Sequence, residues 1–114
     1  MNGQNQRTVL IVEDDGEVLE VYSKFFSRFR YVVTTATSLD EAKKYQGGRY
    51  NILLVDGLKG NCFKVCEMID AEKKVIATGD EELAQESERR GGFIVERKPV
   101  ELSRLIWRLE NESA

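Results

Sequence analysis

Histidine is absent from the 114 residues, and proline and cysteine are scarce, with one and two copies. The absence of histidine excludes Ser-His-Asp and Cys-His catalysis, and it excludes every metal site built on imidazole. The two cysteines, Cys62 and Cys66, lack the C-x-x-C spacing of redox or metal pairs, so we expect both to be small core residues. Any chemistry must therefore come from carboxylates, hydroxyls, lysine or the backbone.

Long hydrophobic runs are also missing. Runs such as residues 9–12 stop at four, whereas a membrane-spanning helix needs about 18–20 consecutive apolar residues. Residues 1–6 form a polar N-terminal tail without the apolar stretch of a secretion signal. Together with the low cysteine content, these features predict a cytoplasmic protein without a membrane segment.

Neither sign of charge dominates, because 17 Lys and Arg stand against 20 Asp and Glu, for a net charge of −3. The basic residues are dispersed, so we expect no direct nucleic-acid partner. With 41% hydrophobic and 32% charged residues, the composition is that of an ordinary globular domain, and the length suffices for one core but not two. We predict a single domain over residues 1–114, with its core at about 8–110.

Short β-branched segments alternate with helix-length segments along the chain. The predicted strands are residues 8–12, 31–35, 51–55, 75–77 and 93–95. The first and third strands are continuously hydrophobic, as expected for strands of a parallel sheet that helices cover on both faces. The sequence therefore predicts a doubly wound, three-layer α/β sandwich of five βα units.

The helical segments differ in how much apolar surface they offer. Helices are predicted at about 17–29, from Ser38 to Gly47, at 62–71, at 81–90 and after Pro99. The apolar side of the first helix is predicted to carry Val18, Val21, Tyr22, Phe25 and Phe29. The fourth offers only Leu83 and Ala84, so we expect it to be loosely held. The buried stripe of the last is predicted to be Leu102, Leu105, Ile106 and Leu109, with Trp107 outside it.

Polar side chains follow four of the five strands, and in an open α/β sheet functional groups gather at the carboxyl ends of strands. If strands one and three are neighbours, as in the order 2-1-3-4-5, Glu13, Asp14 and Asp56 converge in one pocket. Thr78 and Lys98 then lie on its far side. The sequence therefore predicts a polar pocket dominated by three carboxylates.

Three neighbouring carboxylates repel one another unless a cation joins them. A site of several carboxylate oxygens suits Mg²⁺, which favours phosphate as a further ligand. Asp56 can then be a nucleophile that forms an aspartyl-phosphate. Lys98 can supply a positive charge and Thr78 a hydroxyl donor to the phosphoryl oxygens. The pocket is interpreted as a Mg²⁺-dependent phosphoryl site.

The segments VLIVEDD, ILLVD, IATG and RKP, in this order at the ends of strands one, three, four and five, resemble the receiver domain of two-component response regulators. The resemblance covers about residues 8–110. It implies a flavodoxin-like (βα)₅ fold with sheet order 2-1-3-4-5. It also implies phosphotransfer from a histidine kinase or a histidine phosphotransfer protein onto an aspartate, which is Asp56 in this sequence.

The resemblance further implies the metal ligands. Glu13 and Asp14 match the acidic pair of the family, with Asp14 the more direct Mg²⁺ ligand. Asp56 and the backbone carbonyl of Leu58 complete the protein's share of the ligands.

Two other residues receive roles from the same resemblance. Thr78 matches the hydroxyl that moves toward the phosphoryl group. Lys98 matches the family's lysine, whose bond to the following proline is expected to be cis.

Several positions depart from the family pattern. Lys59 and Gly60 replace an apolar residue and a proline, and Lys64 stands where the family has a glycine, so we expect a different loop after the third strand. The stretch 56–78 is shorter than in the family, so we also expect a shortened third helix. Leu58 cannot hydrogen-bond an attacking water, which predicts a long-lived phosphoryl group.

The partner face also departs from the family pattern. The position of the family's switch aromatic is occupied by Val95, with Phe93 two residues earlier. Because Val95 carries no ring, we expect no coupling between the switch hydroxyl and an aromatic side chain. Trp107 is either a surface aromatic without a role or an anchor on the face of the fourth helix, fifth strand and fifth helix, which receivers use for dimers and output partners.

The leading hypothesis is a stand-alone receiver, a signalling switch rather than an enzyme, because the chain ends shortly after the fifth helix. Its output would be a downstream protein or an output domain in trans, with phosphorylation-dependent homodimerisation left open. A degenerate receiver that acts as a phosphorylation-independent scaffold is a second hypothesis. A third is a Mg²⁺-dependent phosphohydrolase with an aspartate nucleophile, although Leu58 stands where that chemistry wants a second acid.

Overall fold

Five parallel strands form one sheet in the computed structural model, which describes residues 6–112. The strands are β1 (Arg7–Val12), β2 (Tyr31–Ala36), β3 (Arg49–Asp56), β4 (Asp70–Thr78) and β5 (Ile94–Arg97). Their order is β2-β1-β3-β4-β5. Of the N-terminal tail predicted at 1–6, all but Gln6 lies outside the described residues.

Five helices cover the two faces of this sheet. They are α1 (Gly16–Arg28), α2 (Leu39–Ala42), α3 (Cys62–Met68), α4 (Glu81–Arg90) and α5 (Leu102–Asn111). α1 and α5 pack on one face, and α2, α3 and α4 pack on the other. This arrangement confirms the predicted flavodoxin-like (βα)₅ fold. No helix within residues 6–112 combines the length and the apolar character that crossing a bilayer requires.

The continuous hydrophobic run of β1 is explained by burial on both faces. Val9 and Ile11 contribute to the core under α1 and α5, while Leu10 and Val12 contribute to the core under α2 and α3. All four side chains are completely buried. Successive residues of a strand point to opposite faces, so a central strand covered by helices needs apolar residues at every position.

α3 is shorter and β4 longer than predicted. α3 ends at Met68 rather than near residue 71, and β4 begins at Asp70 rather than Val75. The first half of β4 is polar, so hydrophobic runs in the sequence did not predict it as part of the strand. Its lysines are satisfied within the fold: Lys73 Nζ donates to the Leu109 carbonyl and Lys74 Nζ to the Cys66 carbonyl.

The second helix is also shorter than predicted. Ser38 caps it as expected, because its hydroxyl accepts the backbone N–H of Glu41 (3.0 Å) and the Glu41 carboxylate accepts that of Thr37 (2.6 Å). The α-helical hydrogen bonding stops at Ala42, and a 3₁₀ turn over Lys43–Tyr45 leads toward β3. The capping signal thus predicted the start of the helix but not its length.

The buried side of α1 differs from the predicted one. Val21 and Phe29 are 55% and 46% exposed, whereas Tyr22 and Phe26 are buried in the core. Phe26 was missed because apolar residues on this helix span a wider arc than the sheet can cover. In α5 three of the four predicted residues, Leu105, Ile106 and Leu109, are buried, Leu102 is partly buried against the same core, and Trp107 is 60% exposed.

Both cysteines are core residues, as predicted. Cys62 and Cys66 are free thiols buried in the core under α3. Burial raises the pKa of Cys62 to about 11 and that of Cys66 to about 12. Because the thiolate is the reactive form, neither side chain is suited to nucleophilic or redox chemistry at neutral pH.

Candidate functional site

The structure brings three carboxylates together at the carboxyl edge of the sheet. β1 and β3 are neighbours with Val12 opposite Val55, so the residues that follow them emerge side by side. Oxygen atoms of Glu13, Asp14 and Asp56 all lie within 4.8 Å of one another. These are the three residues that the sequence predicted to converge.

The sequence had placed Lys98 on the far side of the pocket. In the structure it lies inside the acidic cluster. Its Nζ donates to Oε1 of Glu13 (3.0 Å) and to Oδ1 of Asp56 (2.5 Å). Burial alone would lower the pKa of Lys98, but the hydrogen bonds to Asp56 and Glu13 and the charges of both carboxylates raise it above its ordinary value. Lys98 therefore stays protonated at neutral pH. Its bond to Pro99 is cis, as the resemblance implied.

Glu13 and Asp14 differ in how free their oxygens are. Glu13 is 1% exposed, and its Oε2 accepts the backbone N–H of Asp15 (3.2 Å) while Oε1 accepts from Lys98. Burial raises the pKa of Glu13, against the opposing effect of both hydrogen bonds. Asp14 is exposed, and within the described part of the chain nothing donates a hydrogen bond to its carboxylate. Asp14 thus offers the freer oxygens to a cation.

Asp15, which follows the acidic pair, has a structural role. Its side chain accepts the backbone N–H groups of Glu17 (3.0 Å) and Val18 (3.3 Å) and so caps the N-terminus of α1. The cap fixes the direction in which the chain leaves β1. It therefore helps to place Glu13 and Asp14 at the edge of the sheet.

Two donors orient the carboxylate of Asp56. Oδ1 accepts from Lys98, and Oδ2 accepts the backbone N–H of Leu58 (3.0 Å). Leu58 and Lys59 both have left-handed backbone angles, with φ of 49° and 55°, in the 3₁₀ turn before α3. The carbonyl of Leu58 accepts the N–H of Asn61 (3.0 Å) and keeps a second lone pair for another partner.

Thr78 is buried at the end of β4, beside the residue after Asp56. Its hydroxyl accepts the backbone N–H of Asp80 (3.0 Å), and the Asp80 side chain caps α4. A Cβ atom on Gly57 would lie only 2.9 Å from Oγ1 of Thr78 and 2.6 Å from Cδ2 of Leu83. Gly57 was missed by sequence reasoning; the available signal was a glycine directly after Asp56.

The predicted partner-face residues are spread over β5 and α5. Val95 is buried on β5 opposite Ile76. Phe93 precedes β5 instead of belonging to it, and its ring lies 6.0 Å from that of Phe63 on α3. Thr78 is opposite Arg97, four residues after Phe93, or about 13 Å along the strand. Phe93, which precedes β5, is thus too far from Thr78 to stand beside it. Val95 is aliphatic and supplies no aromatic ring.

α4 contacts β5 through charged side chains as well as through its few apolar residues. Ala84 and Ser87 are buried, and the guanidinium of Arg97 on β5 forms paired hydrogen bonds with Glu81 and Glu88 at 2.8–3.1 Å. These contacts connect two turns of α4 to the strand that leads to Lys98. The sequence did not show them because the partners are 9 and 16 residues apart.

A second ion-pair network joins α5 to β5. Arg108 donates to the buried carboxylate of Glu96 (2.5 Å) and to the Val95 carbonyl (2.9 Å), and it also binds Glu112. The Arg108 guanidinium is therefore used within the fold instead of forming part of a solvated basic surface.

The acidic cluster fits a divalent metal ion. Its donors are all carboxylate oxygens, the type that hard cations such as Mg²⁺ and Ca²⁺ prefer. The lone positive charge of Lys98 does not balance three carboxylates, so a further cation would be stabilised there.

No protein-family model matches the sequence, and the search of curated proteins finds no relative. Solved structures do match. A response regulator from Burkholderia pseudomallei, with a phosphorylated aspartic acid, a calcium ion and citrate, is 21% identical, with a TM-score of 0.76 over 93% of this chain and 68% of its own. The receiver domain (CheY-like) from Methanospirillum hungatei is 23% identical, with a TM-score of 0.73 over 93% and 95%.

A third match is the non-phosphorylated HemR receiver domain from Leptospira biflexa, which is 20% identical, with a TM-score of 0.72 over 92% of each chain. Identities this low establish the fold and leave the chemistry to be argued from the site. The resemblance seen in the four sequence segments therefore extends to the whole described structure: the chain has the CheY-like fold of response regulator receiver domains.

Proposed function

We propose that the chain is a phosphoacceptor receiver, which takes a phosphoryl group onto Asp56 with Mg²⁺ and thereby switches a partner-binding face. The observation that carries the proposal is the cluster of Glu13, Asp14 and Asp56, with Lys98 Nζ bound to the Asp56 carboxylate. The cluster lies at the carboxyl edge of the sheet in a receiver fold.

The chemistry asked of Asp56 is a displacement at phosphorus. One carboxylate oxygen forms the new P–O bond, while the bond to the donor's leaving group breaks and its electron pair departs with that group. The Asp56 side chain is 15% exposed, so a donor can reach it. Lys98 and the Leu58 N–H hold the carboxylate in one orientation. The Thr78 hydroxyl can donate its hydrogen to a phosphoryl oxygen while it still accepts from Asp80.

Mg²⁺ would be held by Glu13, Asp14, Asp56 and the carbonyl of Leu58. When bound, it supplies positive charge that offsets the negative charge on the phosphoryl oxygens. The all-oxygen donor set supports this assignment. The response regulator from Burkholderia pseudomallei, which carries a phosphorylated aspartic acid and a calcium ion, is a precedent for a divalent cation in a protein of this fold.

The donor would be a histidine kinase or a histidine phosphotransfer protein. An open apolar groove beside Lys98 supports a protein donor, because a protein partner can cover apolar surface next to the phosphoacceptor site. The groove lies between α1 and the segment that connects β5 to α5. The groove is lined by Val18, Val21, Tyr22, Pro99 and Val100. The exposure of Val21, unexplained by packing within the chain, is accounted for if a partner covers it.

The output would be a change in binding rather than turnover of a separate substrate. A downstream protein or an output domain in trans would bind the face of α4, β5 and α5, where Trp107 is exposed. Homodimerisation on the same face remains an alternative use of Trp107. We place this switch in the cytoplasm, whose reducing conditions suit the free thiols of Cys62 and Cys66.

A phosphorylation-independent scaffold is the second candidate. It is favoured by one observation, the absence of an aromatic ring at Val95 to follow the movement of Thr78. A phosphohydrolase is disfavoured because the place for a second acid is taken by Leu58, whose side chain packs against the core.

The proposal is tested by intact-protein mass after incubation with acetyl phosphate, with and without Mg²⁺, for the wild type and Asp56→Asn. We expect a single phosphoryl adduct on the wild type that requires Mg²⁺, and none on the variant. A folded wild-type protein without an adduct would support the scaffold. An adduct that is equally abundant on Asp56→Asn would place the chemistry on another residue.

A further inference from the structure

Leu83, in the first turn of α4, occupies the space beside the residue that follows Asp56. A Cβ atom on Gly57 would lie 2.6 Å from Cδ2 of Leu83, well inside the 3.5–4.0 Å at which carbon atoms normally touch. The backbone of Gly57 has φ of −55°, which any residue adopts. A side chain at this position would therefore meet the Leu83 and Thr78 side chains and displace them, although the backbone conformation itself does not call for glycine.

The Gly57 peptide in turn controls the orientation of Asp56. Its N–H donates to the carbonyl of Ala77 (3.1 Å), and the next N–H, that of Leu58, donates to Oδ2 of Asp56 (3.0 Å). A shift of the Gly57 backbone would move the Leu58 donor. The carboxylate would then lose one of the two contacts that fix its orientation.

The backbone of Leu83 is connected to the same place by a second route. Its N–H donates to Oδ1 of Asp80 (3.3 Å), and the N–H of Asp80 donates to the hydroxyl of Thr78 (3.0 Å). Arg97 holds Glu81 and Glu88 on the same helix. Leu83 is thus fixed on a helix that is itself anchored to β5.

We propose that Leu83 is a positioning residue for the phosphoacceptor site: its side chain packs beside Gly57, holds the Gly57 peptide in place and so couples α4 to Asp56. The inference rests on the proposed phosphorylation of Asp56. It gives α4 a direct contact with the phosphoacceptor loop, and this contact requires no aromatic ring at Val95.

The first test compares Leu83→Ala with Met68→Ala. Both substitutions shorten a partly buried side chain of the same core, but Met68 lies at the end of α3 that is remote from Asp56. The readout is the initial rate of Asp56 phosphorylation by acetyl phosphate at saturating Mg²⁺, followed by intact mass, beside the thermal midpoint. We expect Leu83→Ala to slow phosphorylation about tenfold, within the loss of up to about a hundredfold that a 1 Å misplacement can cause.

Met68→Ala should lower the midpoint without slowing phosphorylation. If Leu83→Ala does not fold, Leu83→Val serves in its place, because it removes less volume. A rate for the Leu83 variant equal to that of the wild type or of Met68→Ala would overturn the role of Leu83.

The second test exchanges volume across the contact. Gly57→Ala adds a methyl group into the space of Leu83 and should slow phosphorylation. The double variant Gly57→Ala with Leu83→Ala should be faster than Gly57→Ala alone, because the new methyl enters the vacated space. A general loss of stability would not produce this rescue.

The outcomes separate the two proposals. If the wild type forms no adduct, the proposed function and the role of Leu83 both fail. If the wild type is phosphorylated but the double variant shows the two defects combined without rescue, the contact between Leu83 and Gly57 does not position the site, and the proposed function stands.

Discussion

Lys98 is the residue that allows three carboxylates to share one edge of the sheet. It contacts Glu13 and Asp56 directly, and its raised pKa keeps it charged. Three carboxylates and one ammonium still leave an excess of negative charge, and Asp56 faces two like charges and one opposite charge. The metal-free protein therefore holds repulsion that a cation would relieve.

We expect Asp56→Asn to raise the thermal midpoint of the metal-free protein by a few degrees, which corresponds to about 0.5–1 kcal/mol for a domain of this size. The substitution removes one of the crowded charges and keeps one of the two hydrogen bonds of the side chain. Mg²⁺ should stabilise the wild type, because it binds only the folded state, but it should stabilise the variant much less. Thermal unfolding with and without Mg²⁺ measures both effects.

Asp70→Asn is the control, because Asp70 is an exposed carboxylate at the opposite edge of the sheet. It should leave the Mg²⁺ effect unchanged. A metal-free midpoint of Asp56→Asn at or below that of the wild type would show that the carboxylates are not crowded.

Leu58 controls how a water molecule can approach the phosphoryl group. Its apolar side chain cannot hydrogen-bond an attacking water, so we expect a long-lived phosphoryl group and a several-fold shorter half-life for Leu58→Asn. Asparagine also suits the left-handed backbone at this position, so the variant should fold. The decay of the adduct after removal of the donor gives the half-life. Leu58→Met, which stays apolar, should decay like the wild type, and an unchanged half-life for Leu58→Asn would refute the explanation.

At the scale of elements, α5 is attached to β5 by a buried ion pair as well as by its apolar stripe. Glu96 is 3% exposed, and Arg108 supplies its charge partner while also donating to the Val95 carbonyl. Such a pair adds little when intact, but removing one partner strands a buried charge. The pair therefore fixes how α5 lies on the strand that leads to Lys98.

Arg108→Ala is expected to destabilise the fold by about 3 kcal/mol, because Glu96 then lacks its partner. Adding Glu96→Gln should recover part of the loss, since a neutral side chain is cheaper to bury. Arg104→Ala, one turn away on the exposed side of α5, should have almost no effect. Denaturant unfolding measures all three. Equal losses for Arg104→Ala and Arg108→Ala would mean that the ion pair does not hold α5.

At the scale of the whole molecule, the features that follow from strong local rules were predictable from sequence. Buried parallel strands require apolar residues at every position, and functional groups gather at their carboxyl ends. The five strands and the polar groups at the ends of four of them could therefore be anticipated. The strand order, and with it the convergence of Glu13, Asp14 and Asp56, was a condition that only the family resemblance supported. The resemblance in four short segments supplied the role assigned to each residue.

The features that could not be predicted depend on contacts between distant residues. The first half of β4 is polar because Lys73 and Lys74 reach carbonyl groups on other elements. The volume beside Gly57 is limited by Leu83, 26 positions later in the chain. Hydrophobic periodicity carries no information about such pairs, so they emerged only from the three-dimensional structure.

The central claim is that Asp56 accepts a phosphoryl group in a Mg²⁺-dependent reaction. It is tested most directly by treating the acetyl phosphate-modified protein with borohydride, which reduces an aspartyl-phosphate to homoserine, and locating the change by peptide mass. We expect the reduced residue at position 56, and only in samples that contained Mg²⁺ and donor. Reduction at Asp14 or Glu13, or at no position in a folded protein, would contradict the claim.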